Sequence, residues 1–437
     1  MSTLTRRNFL ATSLASATLL SASAEPIAKP NIVLIMADDQ GYGDLRCYGN
    51  KTIKTPNIDG LANVGMRFTD FHSNCPVCSP TRAALLTGQY QQRSGIEGVV
   101  YAKHMRDRGL PLASTTLAEV LKDNGYATGL FGKWHLGYQP EFGPVKQGFD
   151  TFNGFVSGNV DYVSHIDGEG YADWWQQDAL HPEKGYLTDL ITNHAEKFID
   201  THKEEPFFLY MPHGAPHSPY QGRDSDALRT EGMRKPGLVG DTDTYAEMIE
   251  VMDESVGRIV SRLEKHKLTD NTIIIFCSDN GANNVGSNAQ LRGHKGQVWE
   301  GGHRVPAIAA WPGHISKNTT TDATCISMDF FPTITTLTNS ALPKGYTPDG
   351  VDLSPLLLRQ SSIADRPLFW HYEGKAAMRE GPWKLTLEKD AQGLYNLTND
   401  PAENNDLSEE EPERFARMKK QTRNHYTQIT NGVTKVS

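Results

Sequence analysis

Hydrophobic positions along the chain fall into short unbroken runs separated by helical stripes. Asn31 to Ala37 is a continuous apolar run of strand length, the pattern of a strand covered on both faces. Similar runs occupy Ala127 to Phe131, Thr272 to Cys277, and Phe207 to Tyr210 between Pro206 and Pro212. Helices lie between them. Ser114 and Thr115 can cap one through Leu117, Val120 and Leu121 that stops at Gly125. From about Asp243 to Leu268, the residues Tyr245, Met248, Ile249, Met252, Val256, Ile259, Val260 and Leu263 recur at three- and four-residue steps, one buried stripe. Alternating strands and helices predict an α/β fold with an open, mostly parallel sheet. Past roughly Pro312 the elements shorten: Trp383 to Leu387 and Gly393 to Leu397 read as hairpin strands, and a charged helix runs from about Glu411 to Tyr426. The expected division is a leader at 1–24, a large domain at 25–325 and a smaller α+β subdomain at 326–437.

The leader indicates where the chain works. Arg6-Arg7, then Asn8-Phe9-Leu10, a weakly apolar stretch to Leu20 and Ala22-Ser23-Ala24 form a twin-arginine pattern with an A-x-A cleavage site. This predicts bacterial export in the folded state by the twin-arginine translocase, to the periplasm or outside the cell. A modification installed in the cytoplasm would travel with the protein. No later segment approaches the apolar length of a membrane span, so no stable membrane anchor is expected. Loss of Arg6 and Arg7 takes the formal charge from −9 to −11, which argues against nucleic acid as a partner. Five cysteines in 437 residues make no disulfide scaffold.

The polar clusters all follow predicted strands. Asp38-Asp39 follows the first, Gly132-Lys133-Trp134-His135 the second, His213 to His217 the third, and Ser278-Asp279-Asn280-Gly281 the fourth. In an open parallel sheet the carboxyl ends of the strands share one edge, where ligands bind, so the four clusters should converge. Asp38, Asp39, Asp279 and Asn280 offer oxygen ligands without thiolate or imidazole, which suits a hard cation, Ca²⁺ or Mg²⁺, better than zinc. Three carboxylates at one spot without a cation would repel one another. Cys78-Ser-Pro80-Thr-Arg82-Ala-Ala-Leu-Leu-Thr-Gly88 reads as a helix with Pro80 in its first turn and Gly88 at its end. That sets Cys78 at a helix N-terminus, where free N–H groups attract anions.

This last segment resembles the signature of the type I sulfatases, the formylglycine-dependent members of the alkaline phosphatase superfamily, in which a maturase oxidises the cysteine to Cα-formylglycine. The resemblance extends through Asp38-Asp39-Gln-Gly-Tyr-Gly-Asp44, Gly132-Lys-Trp-His-Leu-Gly137, Pro216-His217-Ser-Pro219, Ser278-Asp-Asn-Gly281, Gly293-His-Lys295-Gly-Gln-Val-Trp-Glu300-Gly-Gly302 and Leu394-Tyr-Asn-Leu-Thr-Asn-Asp-Pro401. It implies an alkaline-phosphatase-like sandwich, with a large mostly parallel central sheet flanked by helices and a smaller C-terminal α+β domain with a short antiparallel sheet. The implied activity is hydrolysis of sulfate esters. Cys78 would carry the nucleophilic hydrate, Arg82 would stabilise it, and Asp38, Asp39, Asp279 and Asn280 would hold the cation. Lys133 and Lys295 would clamp the sulfate oxygens, His217 would assist departure of the alcohol, and His135 would take the proton that frees the sulfate. Two positions depart from the family's pattern, His294 before the lysine and His303 after the paired glycines.

Substrate class depends on other residues. The insertion from Ser157 to Trp175 mixes aromatics with hydrogen-bonding groups, a combination that stacks on sugars, and places His165 and Trp174, with His303, as candidate substrate contacts. Lys103, His104, Arg106 and Arg108 would supply local positive charge for an acidic polymer. A sulfated carbohydrate is therefore expected ahead of a small aryl sulfate. Three other readings stand beside it: phosphate or phosphonate ester hydrolysis in the same superfamily, a glycan-binding protein without turnover, and a dithiol redox site at Cys75-Pro-Val-Cys78. His213 is assigned a structural or substrate role, and Cys75 is either incidental or paired with Cys47.

Overall fold

The computed structural model describes residues 29–234, 240–359, 361–389 and 391–437; the expected leader at 1–24 lies outside them. Among the described residues the large sheet has ten strands, in the order Thr319–Thr321, Met66–Phe68, Ala307–Ala310, Thr272–Ser278, Asn31–Ala37, Phe207–Pro212, Ala127–Lys133, Thr151–Phe155, Trp175–Gln176 and Ala179–Leu180. The middle of the sheet, from Thr272–Ser278 to Thr151–Phe155, is parallel. Ala307–Ala310 and Trp175–Gln176 join it antiparallel on either side. The register sets Ala37 beside Ser278 and Met36 beside Pro212, so Asp38, Asp279 and His213 leave the sheet at one edge.

Asn31–Ala37 is buried throughout, as its unbroken apolar run requires. Ile32, Leu34 and Met36 enter one core with Leu85, Leu117 and Phe330, while Val33, Ile35 and Ala37 enter a second with Ile191, Met248 and Ile259. The two-residue period of a strand thus divides one segment between two cores. Cys78–Thr87, Leu117–Asp123 and Phe330–Leu337 contribute to the first core, and Pro56–Val64, Leu187–His202 and Thr242–Lys265 to the second. The Leu117–Asp123 helix is capped by Thr116 rather than by Ser114 or Thr115. Thr116 Oγ1 accepts from the Glu119 N–H at 3.1 Å, and the Glu119 carboxylate accepts from the Thr116 N–H at 2.7 Å. This reciprocal pair satisfies two orphan donors where a lone hydroxyl would satisfy one. Gly132 has φ +129°, and a Cβ there would lie 2.0 Å from the Pro212 carbonyl oxygen, so only glycine lets the two strands close up just before Lys133.

The C-terminal sheet is an antiparallel meander of Leu368–Tyr372, Lys375–Glu380, Trp383–Leu387 and Gln392–Asn396. With Met418 and Ile429 of the Pro412–Thr430 helix it forms a third core around Trp370, Met378, Leu385 and Leu394. Residues Phe330, Ile334, Leu353 and Leu356 pack instead into the first core of the large sheet. Between the two sheets runs a buried charge seam. Lys384 Nζ donates to Glu300 at 2.7 Å and lies 3.7 Å from Glu403 and 3.0 Å from His303 Nε2. The His303 and His72 rings meet Nδ1 to Nδ1 at 3.0 Å, and His72 reaches Asp70 at 3.0 Å.

Removing one partner of such a buried network leaves the other charge without compensation. Lys384→Met should therefore lower the free energy of unfolding by about 3 to 5 kcal/mol. Urea denaturation followed by fluorescence checks this, and a loss below about 1 kcal/mol would mean that the seam adds nothing to stability.

Candidate active site

Cys78 opens the Cys78–Thr87 helix, with Val77 extended at the N-cap and Gly88 in the left-handed region at the C-cap. Its sulfur and carboxylate oxygens of Asp38 and Asp279 lie within 4.8 Å of one another. One turn along the helix, buried Arg82 places Nη2 2.7 Å from Asp279 Oδ2 and 3.8 Å from Asp38, and Nη1 donates to the Lys133 carbonyl at 3.1 Å. Lys133, the last residue of its strand, sets Nζ 2.5 Å from Asp38 Oδ2. Lys295 arrives on a loop and sets Nζ 2.7 Å from Asp39 Oδ1, which also accepts from Asn280 Nδ2 at 2.8 Å. The four strand-end clusters and the cysteine helix thus meet in one place. Asp39 and His135 hold φ of +65° and +57°, a conformation unfavourable for side-chain-bearing residues that here aims both inward.

The electrostatics describe a site that calls for positive charge. Burial pushes Asp38 up, against the pull of Lys133 and with a further push from Asp279. Asp39 is just as buried, yet Lys295, with the Asn280 amide, outweighs the burial and holds it well below the usual carboxylate range. Asp38 Oδ1 and Asn280 Oδ1 are buried without a hydrogen-bond partner. A hard divalent cation among Asp38, Asp39, Asp279 and Asn280 would satisfy both oxygens and relieve the repulsion, so the donor set fits that group.

The histidines divide by environment. His135 Nε2 lies 3.2 Å from the Val100 carbonyl, and its Nδ1 is buried without a partner. Burial, then Lys133 and Arg82, hold the ring well below the ordinary histidine value, so it stays neutral with Nδ1 as a free acceptor. His217 Nδ1 faces the Ser218 carbonyl at 2.7 Å, which turns Nε2 toward Asp39 at 3.6 Å; burial and Lys295 push this ring down to about 3. His213 is buried, with Nε2 3.4 Å from Ser255 Oγ, and holds the end of its strand through its own N–H to Met36, a structural place.

A cleft of about 650 Å³ opens over Cys78, His135, His217 and Lys295. Lys103 and His104 line it as expected, whereas Arg106 turns onto Asp167 and lies over the rings of Tyr138 and Tyr171. Three expected substrate contacts are not in its lining. Trp174 is buried in the second core with Nε1 on Glu183, His165 is buried against the Trp174 ring, and His303 lies in the charge seam stacked on Trp370. The reason is packing: the insertion folds back on itself through bridges from Val160 to Asp167 and from Ile166 to Ala172, and buries its largest rings. The cleft instead takes Ser157, Asn159 and Glu169 from that insertion, with Tyr101, Arg229, Arg234 and Tyr372 from elsewhere. No motif flags Arg229. It reaches the cleft because Asp161 accepts the N–H groups of Leu228 and Arg229 and clips two distant loops together.

All five cysteines are free thiols. Cys47 packs beside the second core and Cys75 against Val77 and Tyr372, so the pairing considered for them is absent. Burial pushes the thiols of Cys75 and Cys78 up, which disfavours the thiolate that a dithiol exchange site needs.

A family model described as Sulfatase matches residues 30–340. The chain belongs to the sulfatase family. It hydrolyses sulfate esters, as its curated relatives do. This sulfatase is 36% identical over 396 residues to N-acetylgalactosamine-6-sulfatase of Mus musculus, covering 85% of this chain and 73% of that one. It is 35% identical over 416 residues to arylsulfatase A of Homo sapiens, covering 88% and 80%. The crystal structure of Ps i-CgsB aligns with a TM-score of 0.84 at 31% identity over 94% of each chain, and that protein has also been solved in complex with k-i-k-neocarrahexaose. The expected alkaline-phosphatase-like sandwich, with its mostly parallel sheet and small antiparallel C-terminal sheet, is the fold of the sulfatase.

The placement of Trp174 changes what its removal should do. Trp174→Ala should cost about 3 to 5 kcal/mol of stability through the cavity it leaves. Turnover should fall alike on an aryl sulfate and on a sulfated saccharide. Thermal unfolding and paired kinetics check this, and a loss confined to the saccharide would return the ring to the substrate side.

Proposed function

We propose that this sulfatase removes O-sulfate groups from a sulfated carbohydrate, using Cys78 oxidised to formylglycine by a maturase and a divalent cation, Ca²⁺ in preference to Mg²⁺. The carrying observation is the meeting of the Cys78 sulfur with Asp38 and Asp279 at the start of a helix, ringed by Lys133, His135, His217 and Lys295. Asp38, Asp39, Asp279 and Asn280 would hold the cation, which supplies charge against the negative charge that develops on the sulfate oxygens. The modified residue 78 supplies, as an aldehyde hydrate, a hydroxyl pair in place of a thiol.

The chain's own side chains provide the rest. Lys133 and Lys295 clamp the sulfate oxygens, and Arg82 fixes the helix that carries residue 78 by holding Asp279 and the Lys133 carbonyl at once. His217 sets Nε2 beside the ammonium of Lys295, which can give the departing alcohol its proton. His135, neutral with a free Nδ1, accepts a proton next to residue 78. Around them Tyr101 offers an open ring face, and Lys103, His104, Asn159 and Glu169 offer hydrogen bonds, a lining suited to a sugar. The neocarrahexaose complex of Ps i-CgsB supports the same class of substrate. The Arg6-Arg7 leader supports twin-arginine export to the periplasm or outside the cell. Among the described residues no helix is long and apolar enough to cross a membrane.

Three measurements test this reading. Conversion of Cys78 should lower the intact mass by about 18 Da, and protein made with its maturase that lacks the change yet releases sulfate would overturn it. Cys78→Ala should keep the wild-type Tm and lose at least about 1,000-fold in kcat; retention of a tenth of the turnover would remove residue 78 from the mechanism. Asp38→Ala and Asp279→Ala should each weaken Ca²⁺ binding at least about 10-fold by titration calorimetry, and an unchanged affinity would move the cation elsewhere.

A further inference from the structure

A second cavity, of about 820 Å³, lies between the C-terminal subdomain and the loop that follows the cysteine helix. It shares Val99, Tyr101 and Tyr372 with the catalytic cleft, so the two form one groove with an aromatic ridge between them. The ridge is tied to the catalytic residues. Tyr372 packs with Val77, the residue before Cys78, and Lys375 Nζ donates at 2.5 Å to the carbonyl of Gly296, the residue after Lys295. Tyr101 is 44% exposed, a large ring left open at the junction.

The lining of this second cavity is cationic in an acidic chain. Five cationic side chains line it against Glu97, Glu373 and Glu388, in a chain of net charge −9. Lys375 lies 3.9 Å from Glu388, and Lys435 lies 3.6 Å from Glu97. Lys419 donates to the neutral amide of Gln392 at 2.8 Å rather than to a carboxylate. Lys389 and Arg423 are exposed, with no ion-pair partner among the described residues. Nothing in the chemistry at Cys78 uses these groups.

We propose that this cavity is a remote subsite for further sulfated sugars of the same chain whose scissile ester lies at Cys78. The proposal rests on the carbohydrate reading above. Sulfate esters are anionic at every working pH and present oxygens that a lysine or a guanidinium can meet with charge-assisted hydrogen bonds. An acidic protein repels an acidic polymer at long range, so productive binding requires cations placed along the path of the polymer. Tyr101 gives the intervening sugar a ring face to stack on, and Tyr372 forms the floor beneath the junction. Binding energy collected there is available to an oligosaccharide and not to a substrate that ends at the sulfated sugar.

The test is the double variant Lys389→Ala with Arg423→Ala, two exposed substitutions whose Tm should equal that of the wild type. Kinetics are compared on k-i-k-neocarrahexaose and a chondroitin 6-sulfate hexasaccharide, on the matching sulfated monosaccharides, and on a small aryl sulfate. On the hexasaccharide that the wild type accepts, the double variant should raise KM about 10-fold with kcat unchanged, and added salt should erase the difference. Its kinetics on the monosaccharide and the aryl ester should match the wild type. Equal kinetics of the two proteins on the hexasaccharide, or equal losses on all substrates, would overturn the subsite while leaving the carbohydrate reading in place. Release from the aryl ester and from no saccharide by the wild type would overturn the carbohydrate reading, and the subsite with it.

Discussion

Three carboxylates buried at the carboxyl edge of two neighbouring parallel strands are the constraint on which the rest of this molecule depends. Burying one ion costs several kcal/mol unless an opposite charge meets it with good geometry. Here each carboxylate has its own cation: Lys133 for Asp38, Lys295 for Asp39 and Arg82 for Asp279. The three cations come from a strand end, a loop and a helix, so neutralising the acids fixes the relative positions of all three elements. The groups that face the sulfate ester are held by the same contacts that make the fold tolerable.

This arrangement also sets the protonation of the histidines. With lysines and an arginine close by and little water, a charged imidazole is disfavoured, and both His135 and His217 are held well below the ordinary histidine range. For His135 a neutral ring is what accepting a proton requires. The hydrogen bonds on the far side of each ring choose which nitrogen faces inward, Nδ1 for His135 and Nε2 for His217.

Much of this was legible in the chain. The apolar run from Asn31 to Ala37 specified a strand buried on both faces, and the acids after it specified the edge at which ligands bind. Cys78 and Arg82 lie in the first turns of one helix, and Lys133, His135, His217 and the four oxygen donors end or follow strands, positions that period and punctuation reveal; Lys295 joins them from a loop. His165, Trp174 and His303 were misplaced for one physical reason. Aromatic and histidine side chains suit a sugar site and a core equally well, and only tertiary packing decides between them. Arg229 and Tyr372 lay beyond reach for the opposite reason, since they enter the cleft through contacts made more than fifty residues away in the chain. Thr116 displaced Ser114 and Thr115 as a cap because Glu119 could answer it, a pairing visible in the spacing.

The loop that carries Lys295 has an uneven ancestry of support. Its resemblance to the family lies within a match that ends at residue 340, yet four of the bonds that pin it come from later in the chain. Arg292 donates to the Glu403 carbonyl at 2.7 Å, Lys375 reaches the Gly296 carbonyl, Glu388 accepts the Val298 N–H at 2.6 Å and Glu403 accepts the Glu300 N–H at 2.7 Å. A fragment cut where the match stops would retain every group that meets the sulfate, and the Lys295 loop would keep its bonds to Ala282 and Pro76 but lose these four. For anyone recombining or trimming such proteins, the unit to move intact is the one enclosed by these bonds, and its border lies some sixty residues past the one that sequence likeness draws.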